Sequence, residues 1–434
     1  MISVLRNSSY RRLFGAQVVA LTGTGLATVA LGLLAHDLAG PGAGAVLGTA
    51  LAVKMVAYVG VAPIAAALLG ALSRRAVLVS LDLVRVAVAA VLPWVSAVWQ
   101  VYVLVFVLQA ASAAFTPLFQ ATIPDVLPDE RDHTRAVTLS RTAYDLEGLL
   151  SPALAAAALT LVGFHDLFLG TALGFAASAL LVVSATVPKS VPRRRYDAHG
   201  IRIYLATPRL RGLLAVHLTA AAAGSMVFVN TVAAVRDGLG RDAADVAVAL
   251  AVNGAGSLLA ALALPRLLDR HPDRAIVSRA AGVLVVVLFA GALAWNWQLM
   301  LLLWALIGAG CALALTPGAR LLRRSADPAD RPALFAADFA LSHACWLVCY
   351  PLAGWVATAA GLTTAFLVLG TIAAFSATTA MRLWPAHDPE VVEHDHRDLD
   401  PHHEHLHDAV PAGGGWTHAH EFRIDDHHTR WPRR

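Results

Sequence analysis

Charge is scarce in this sequence. Asp, Glu, Lys and Arg supply 14% of its 434 residues against 58% apolar, too few polar groups to cover a water-soluble body of that length, so a soluble enzyme is excluded. Cysteine is equally thin: Cys311, Cys345 and Cys349 all lie in apolar segments, which argues against a disulfide framework, a CxxC pair or a zinc finger. No small-residue cleavage site follows Met1–Phe14, so the first apolar run reads as an uncleaved anchor. The chain has no Gly-rich phosphate loop, nucleotide motif or hydrolytic triad, and neither catalysis nor a bound cofactor is expected. Five methionines without a Met pair argue against Cu(I) as a ligand.

Long apolar runs are what the chain has instead. Twelve stretches, near 13–37, 45–69, 76–98, 101–123, 137–161, 167–187, 211–235, 244–265, 275–296, 298–319, 333–358 and 362–384, each meet the roughly 20 residues a bilayer span needs. Lipid leaves unpaired backbone unsatisfied, so all twelve are predicted helices of an all-α polytopic membrane protein. Alternate connections hold most of the loop cations: Arg6, Arg11 and Arg12, then Arg74 and Arg75, Arg131 and Arg135, the stretch 188–211, Arg266, Arg270 and Arg274, and the stretch 320–332. The opposite set holds Arg236 and Arg241. By the positive-inside rule both termini are cytoplasmic, in a bacterial inner membrane, and the net charge of +4 reports loop topology and not nucleic-acid binding.

Shifted by about 199 residues the sequence repeats its landmarks: Arg12 falls on Arg211, Arg75 on Arg274, Thr116-Pro117 near Thr316-Pro317 and Pro152 on Pro351. The predicted organisation is a six-helix bundle over 1–187, a cytoplasmic linker over 188–210 containing Arg193-Arg194-Arg195, a second bundle over 211–384 and a tail over 385–434. Two such halves rocking about a midplane site give alternating access.

Particular motifs sharpen this. Tyr10-Arg11-Arg12-Leu13-Phe14 opens the first span, Arg74-Arg75 with Asp82 and Arg85 follows the second, and Gln120-Ala121-Thr122-Ile123-Pro124-Asp125-Val126-Leu127-Pro128 follows the fourth. On these, residues 10–384 resemble the Major Facilitator Superfamily, in its branch of enterobactin-type and drug efflux proteins. The resemblance implies the family's two-bundle fold, a functional monomer, and cytoplasmic gating charges at Arg74, Arg75, Asp269, Arg270 and Arg274. Gly70-Ala71 stands where the family carries Asp-Arg, so the gating pair of the first half is weakened. Gly148-Leu149-Leu150-Ser151-Pro152-Ala153 resembles the antiporter motif of the fifth helix, with Ser151 for a glycine, and implies export by proton exchange.

An ionisable side chain in hydrocarbon costs at least roughly 2.5–3.5 kcal/mol on insertion scales, so each one is a transport candidate. The fifth span carries Arg141, Tyr144, Asp145 and Glu147. Arg141 and Asp145 share a helix face and are expected to neutralise each other, whereas Glu147 turns away with Tyr144 and Ser151 and is the better proton carrier. Lys54 sits mid-depth in the second span, with Asn253 at the matching point of the repeat, and Glu147 or Asp145 is its natural partner. Asp82 and Arg85 read as a structural pair. In the eleventh span Asp338, Ser342, Cys345 and Cys349 form one stripe and His343 lies off it. Asp338 and His343 are candidate cation or proton ligands, the cysteines weaker ones that close packing also explains, and His217 a further candidate.

Beyond Trp384 the composition changes. Residues 387–434 hold 11 of the 18 histidines and almost no aliphatics, so the segment is expected to be disordered without a ligand. His394, His396, His402, His403, His405, His407, His418, His420, His427 and His428 suit Ni(II), Zn(II), Co(II) or Cu(II), and their spacing predicts weak, plural, exchangeable sites. A pH-responsive or solubilising tail is the non-metal alternative. Joined to the twelve-span body, this tail resembles the nickel-resistance exporters of the NreB type, which implies efflux of Ni(II), and of Co(II) or Zn(II), against protons. Two other readings stand beside it: an exporter of a siderophore, metal chelate or drug with a regulatory tail, and a membrane-anchored metal sensor or store, against which the duplicated bundle argues.

Overall fold

The computed structural model describes residues 2–61, 73–127, 129–186, 199–293, 296–327, 330–386, 388, 391–396, 406, 409–412, 415–424, 428 and 431. Several side chains between 117 and 149, including those of Arg141, Tyr144 and Asp145, lie outside that description, as do His402, His403, His405, His407 and His427.

Among the described residues, twelve helices form the body, an all-α polytopic membrane protein built as two bundles of six. They are α1 (Ser8–Ala39), α2 (Ala43–Val56), α3 (Arg74–Val91), α4 (Val98–Val126), α5 (Glu130–Leu159) and α6 (Phe164–Ser184), then α7 (Pro208–Ala233), α8 (Ala243–Leu268), α9 (Asp273–Ala290), α10 (Trp297–Leu315), α11 (331–360) and α12 (362–383). Side-chain caps set several starts: Asn7, Ser73, Asp129 and Asn296 each accept from the backbone N–H three residues on. Glycine sets two ends. Gly40 (φ 50°) closes α1, and Gly361 (φ 84°) breaks what would otherwise be one continuous rod into α11 and α12.

Within the first half α6 packs on α1 and α3, and α5 on α1; in the second, α10 packs on α8 and α9, and α9 on α12. The halves meet along α2 with α11 and α5 with α8. The repeat maps α2 onto α8 and α5 onto α11, so these two seams are copies of one contact. Small residues make the α2–α11 seam close. A Cβ on Gly354 would stand 2.0 Å from the Gly44 oxygen and one on Gly48 2.5 Å from the Tyr350 oxygen, which only glycines avoid. Thr358 Oγ1 accepts from the Ala45 N–H at 3.1 Å, and Trp355 Nε1 donates to Thr49 Oγ1 at 3.2 Å, at the end of the seam where α2 begins.

The tail departs from its composition. Among the described residues, β1 (Val391–His396), β2 (Val410–Ala412) and β3 (Gly415–Glu421) form an antiparallel sheet in the order β1-β3-β2. A few apolar side chains anchor it: Phe422 and Ile424 are buried with Ile203, Tyr204, Leu210, Leu321 and Leu322 at the end of the second bundle where α7 starts. Charge adds to the attachment. Asp388 lies between Arg209 and Arg324, and Arg423 reaches Asp327. The absence of aliphatics argued for disorder because the few apolar groups were counted within the tail alone, and their partners lie on the bundle.

Candidate functional site

Polar groups gather where the halves meet. Lys54, near the end of α2, faces the first half's Glu147 within electrostatic reach. Glu147 is set against α1 at Gly25: a Cβ there would fall 2.8 Å from Glu147 Oε1 and 2.0 Å from Ser151 Cβ, so glycine leaves the room the carboxylate occupies. Ser151 Oγ is buried beside it with no hydrogen-bond partner among the described atoms. Of the two partners expected for Lys54, Glu147 lies within reach of its charge, and the side chain of Asp145, like that of Arg141, lies outside the described residues.

Past Lys54 the α2 backbone widens into a π-turn over Ala57–Val61, an irregularity that recurs at functional sites. It carries Tyr58, one turn from Lys54, whose ammonium lies 5.8 Å from the Tyr58 ring centre. Tyr58 stacks on His343 of α11, centroids 5.6 Å apart and planes 6° from parallel. The His343 Nδ1 is 2.7 Å from the Phe339 carbonyl oxygen, which can only accept, so Nδ1 carries the proton and a neutral ring keeps its Nε2 lone pair for a cation or proton.

Asp338 faces another way, as the α11 stripe predicts. Its Oδ1 pairs with His217 Nε2 of α7 at 3.1 Å and accepts from Tyr204 OH at 3.0 Å. Both fields reach His343, which senses Lys54, His217 and Asp338. The groups thus form a line across the junction of the halves: Glu147, Lys54, Tyr58, His343, then Asp338 with His217. Cys345 is near Asp338, while Cys349 and Cys311 flank Tyr350. Asn253, the repeat mate of Lys54, instead donates to the Trp304 carbonyl at 2.9 Å and ties α8 to α10.

Asp82 and Arg85 pair directly, with Ser178 donating to Asp82 at 2.8 Å and the guanidinium 4.2 Å from the Phe115 ring centre, all inside the first half. The gating candidates also bond within their own halves. Arg74 pairs with Asp125, and Arg75 donates to the Val183 carbonyl at the end of α6. Its repeat mate Arg274 donates to Trp384 and Met381 carbonyls at the end of α12, each at 3.0 Å. These two arginines cap helix C-termini, where a cation meets the negative end of the dipole. Asp269 and Arg270 are exposed just beyond α8.

A second cluster lies on the tail. One ring nitrogen from each of His394, His418, His420 and His428 falls within 4.8 Å of the others, and His396 stacks edge-on against His394. Burial above all lowers the His394 imidazole, its bond to the Val392 carbonyl partly opposes this and the neighbouring His428, His420 and His418 add to the lowering, so that it stands at about 4 and is neutral at pH 7.

The sequence model of the Major Facilitator Superfamily matches the chain twice, over residues 13–231 and 213–420. No curated protein matches. Among solved structures, a bacterial homologue of the human lysosomal transporter Spinster, inward-facing and unoccupied, aligns with 87% of this chain and 97% of its own at 11% identity and a TM-score of 0.72. A D-xylose–proton symporter aligns with 87% and 98% at 14% identity and a TM-score of 0.69. A mutant of the nucleoside transporter NupG aligns with 87% and 100% at 14% identity and a TM-score of 0.68.

Proposed function

Because the chain belongs to the Major Facilitator Superfamily it is a multi-pass membrane transporter, and we propose that it exports divalent transition-metal ions, Ni(II) first with Co(II) or Zn(II), in exchange for protons. On this reading 1–187 and 211–384 are the moving bundles, 188–210 joins them on the cytoplasmic side of a bacterial inner membrane, and 385–434 collects or senses metal. The observation that carries it is the line of ionisable groups from Glu147 to His217 across the junction of the halves. Lys54 holds the Glu147 carboxylate until an arriving cation or proton displaces it, and His343 and Asp338 supply nitrogen and oxygen donors that suit a borderline metal. Arg74, Arg75, Asp269, Arg270 and Arg274 set the cytoplasmic ends of the helices that move.

Everted membrane vesicles test this: with an acid interior, added Ni(II) should enter the vesicles and release protons in proportion. A pH gradient that Ni(II), Co(II) and Zn(II) all leave untouched would refute the reading. The second reading is export of an organic compound. It is supported by the Tyr58 and Phe339 rings against His343, by the Phe228–Trp346 ring pair between α7 and α11, and by the likeness to a nucleoside transporter and a D-xylose–proton symporter.

A further inference from the structure

The histidine cluster on the tail has a geometry that the scattered spacing of its residues does not announce. Side chains alternate across a strand, so His394 and His396 of β1 face the same way as His418 and His420 of β3. The antiparallel register sets His394 directly opposite His418. The chain after β3 buries Phe422 and Ile424 against the bundle, and His428 returns to the same face, its Nε2 2.9 Å from that of His394. His418 Nε2 approaches the same atom at 3.2 Å.

Hydrogen bonds fix which nitrogens point inward. Nδ1 of His394 lies 3.0 Å from the Val392 carbonyl and Nδ1 of His420 2.8 Å from the Glu421 carbonyl. A carbonyl only accepts, so each Nδ1 bears the proton and each neutral ring turns an Nε2 lone pair into the cluster. A ring oriented by an Nδ1–H to carbonyl bond is the arrangement that supports metal-ligating histidines. Tetrahedral coordination with metal–nitrogen bonds of about 2.0–2.1 Å needs nitrogens about 3.4 Å apart, and the separations here, 4.8 Å at most, close to that by side-chain rotation. Glu393 and Asp395 point to the other face, which leaves an all-nitrogen set among the described residues and disfavours Ca(II) and Mg(II). The Phe422 ring, 4.8 Å from that of His394, gives the cluster an apolar floor.

We propose that His394, His418, His420 and His428 form one tetrahedral site for a borderline divalent cation, Zn(II), Co(II) or Ni(II), built on the tail sheet outside the membrane path. It binds a single ion firmly, in place of the weak plural binding expected of a disordered tail, and it staples β1, β3 and the segment after β3 together. The site rests on the transport reading for its role, the collecting or sensing of metal by the tail, and on the tail's own geometry for its existence.

Full-length protein in detergent micelles, titrated with Co(II) alone, tests it. The expected result is a strong visible absorption of tetrahedral cobalt that saturates at one equivalent and is bleached by Zn(II). Losing a group that merely orients a ligand typically costs about 10–100-fold in metal affinity, so losing a ligand itself, by His394→Gln or by His428→Gln outside the strands, should weaken binding by at least about 100-fold. His271→Gln, in the loop after α8, should leave it unchanged. Weak octahedral absorption spread over several equivalents, or equal losses in all three variants, would overturn the proposal. Glu147→Gln protein should keep the band, and metal flux missing from the native chain while its band is intact counts against the transport reading alone.

Discussion

Neutralising Glu147 tests the junction of the halves most sharply. Glu147 and Lys54 lie within reach of each other's charge, and Gly25 leaves the space the carboxylate occupies. Glu147→Gln leaves the ammonium uncompensated, and removing one partner of a buried pair costs about 3–5 kcal/mol. Lys54→Met strands the carboxylate at a similar cost. The double variant removes both charges of the pair, so it should recover most of the loss, with an interaction energy of about 1–3 kcal/mol in the cycle. Thermal unfolding in micelles, followed by tryptophan fluorescence, reads the stability side: the double variant should melt above either single variant. Flux reads the function: Glu147→Gln and the double variant should fall to the leak of protein-free vesicles. Asp82→Asn is the matched control, a buried carboxylate whose partners Arg85 and Ser178 lie in its own half, and it should destabilise without uncoupling the remaining folded protein. Additive single effects, or wild-type coupling in Glu147→Gln, would refute the reasoning.

Gly25→Val would place a Cβ 2.0 Å from Ser151 Cβ and force α1 from α5, so flux should be lost in protein that still inserts, whereas Gly15→Ala, meeting only Leu181 Cδ1 at 3.5 Å, should transport normally. Gly354→Val should wedge the α2–α11 seam at Gly44; a Thr358→Cys reporter should then react faster with an impermeant maleimide, and an unchanged rate would contradict the close packing. Asp388→Asn removes the anion between Arg209 and Arg324, and limited proteolysis should cut the tail several-fold faster than in the native chain. Deleting residues 387–434 should raise the metal concentration needed for half-maximal transport more than it lowers the maximum; an equal loss at all concentrations would make the tail a structural part of the gate.

Much of this was legible beforehand because membrane helices obey strict length and charge rules. The helical spans, the two-bundle fold, the pairing of Asp82 with Arg85 and the nearness of Lys54 to Glu147 followed from apolar runs, the repeat and the cost of charge in lipid. The repeat even relates the two C-terminal caps, Arg75 and Arg274, although helix capping was not foreseen for either. Tyr58 and Tyr204 were missed. An aromatic residue in an apolar run carries no periodic signal, yet Tyr58 falls one turn from Lys54, and Tyr204 reaches Asp338 from the short helix His199–Ala206 in what read as a linker. In the tail, composition argued for disorder, while the alternation in His394-Asp395-His396 and His418-Ala419-His420 already had the period of a strand. Its anchor, Arg209, is 2% exposed and binds Asp388 from 179 residues away, a contact that no local pattern encodes.

The central claim is metal export coupled to protons through Glu147. Its most direct test is purified protein in proteoliposomes with an imposed pH gradient, with Ni(II) and protons followed in the same vesicles for the native chain and for Glu147→Gln. The account predicts opposed, proportional fluxes in the native chain and neither in the variant. Proton movement that ignores the metal, or equal Ni(II) flux in both proteins, would contradict it.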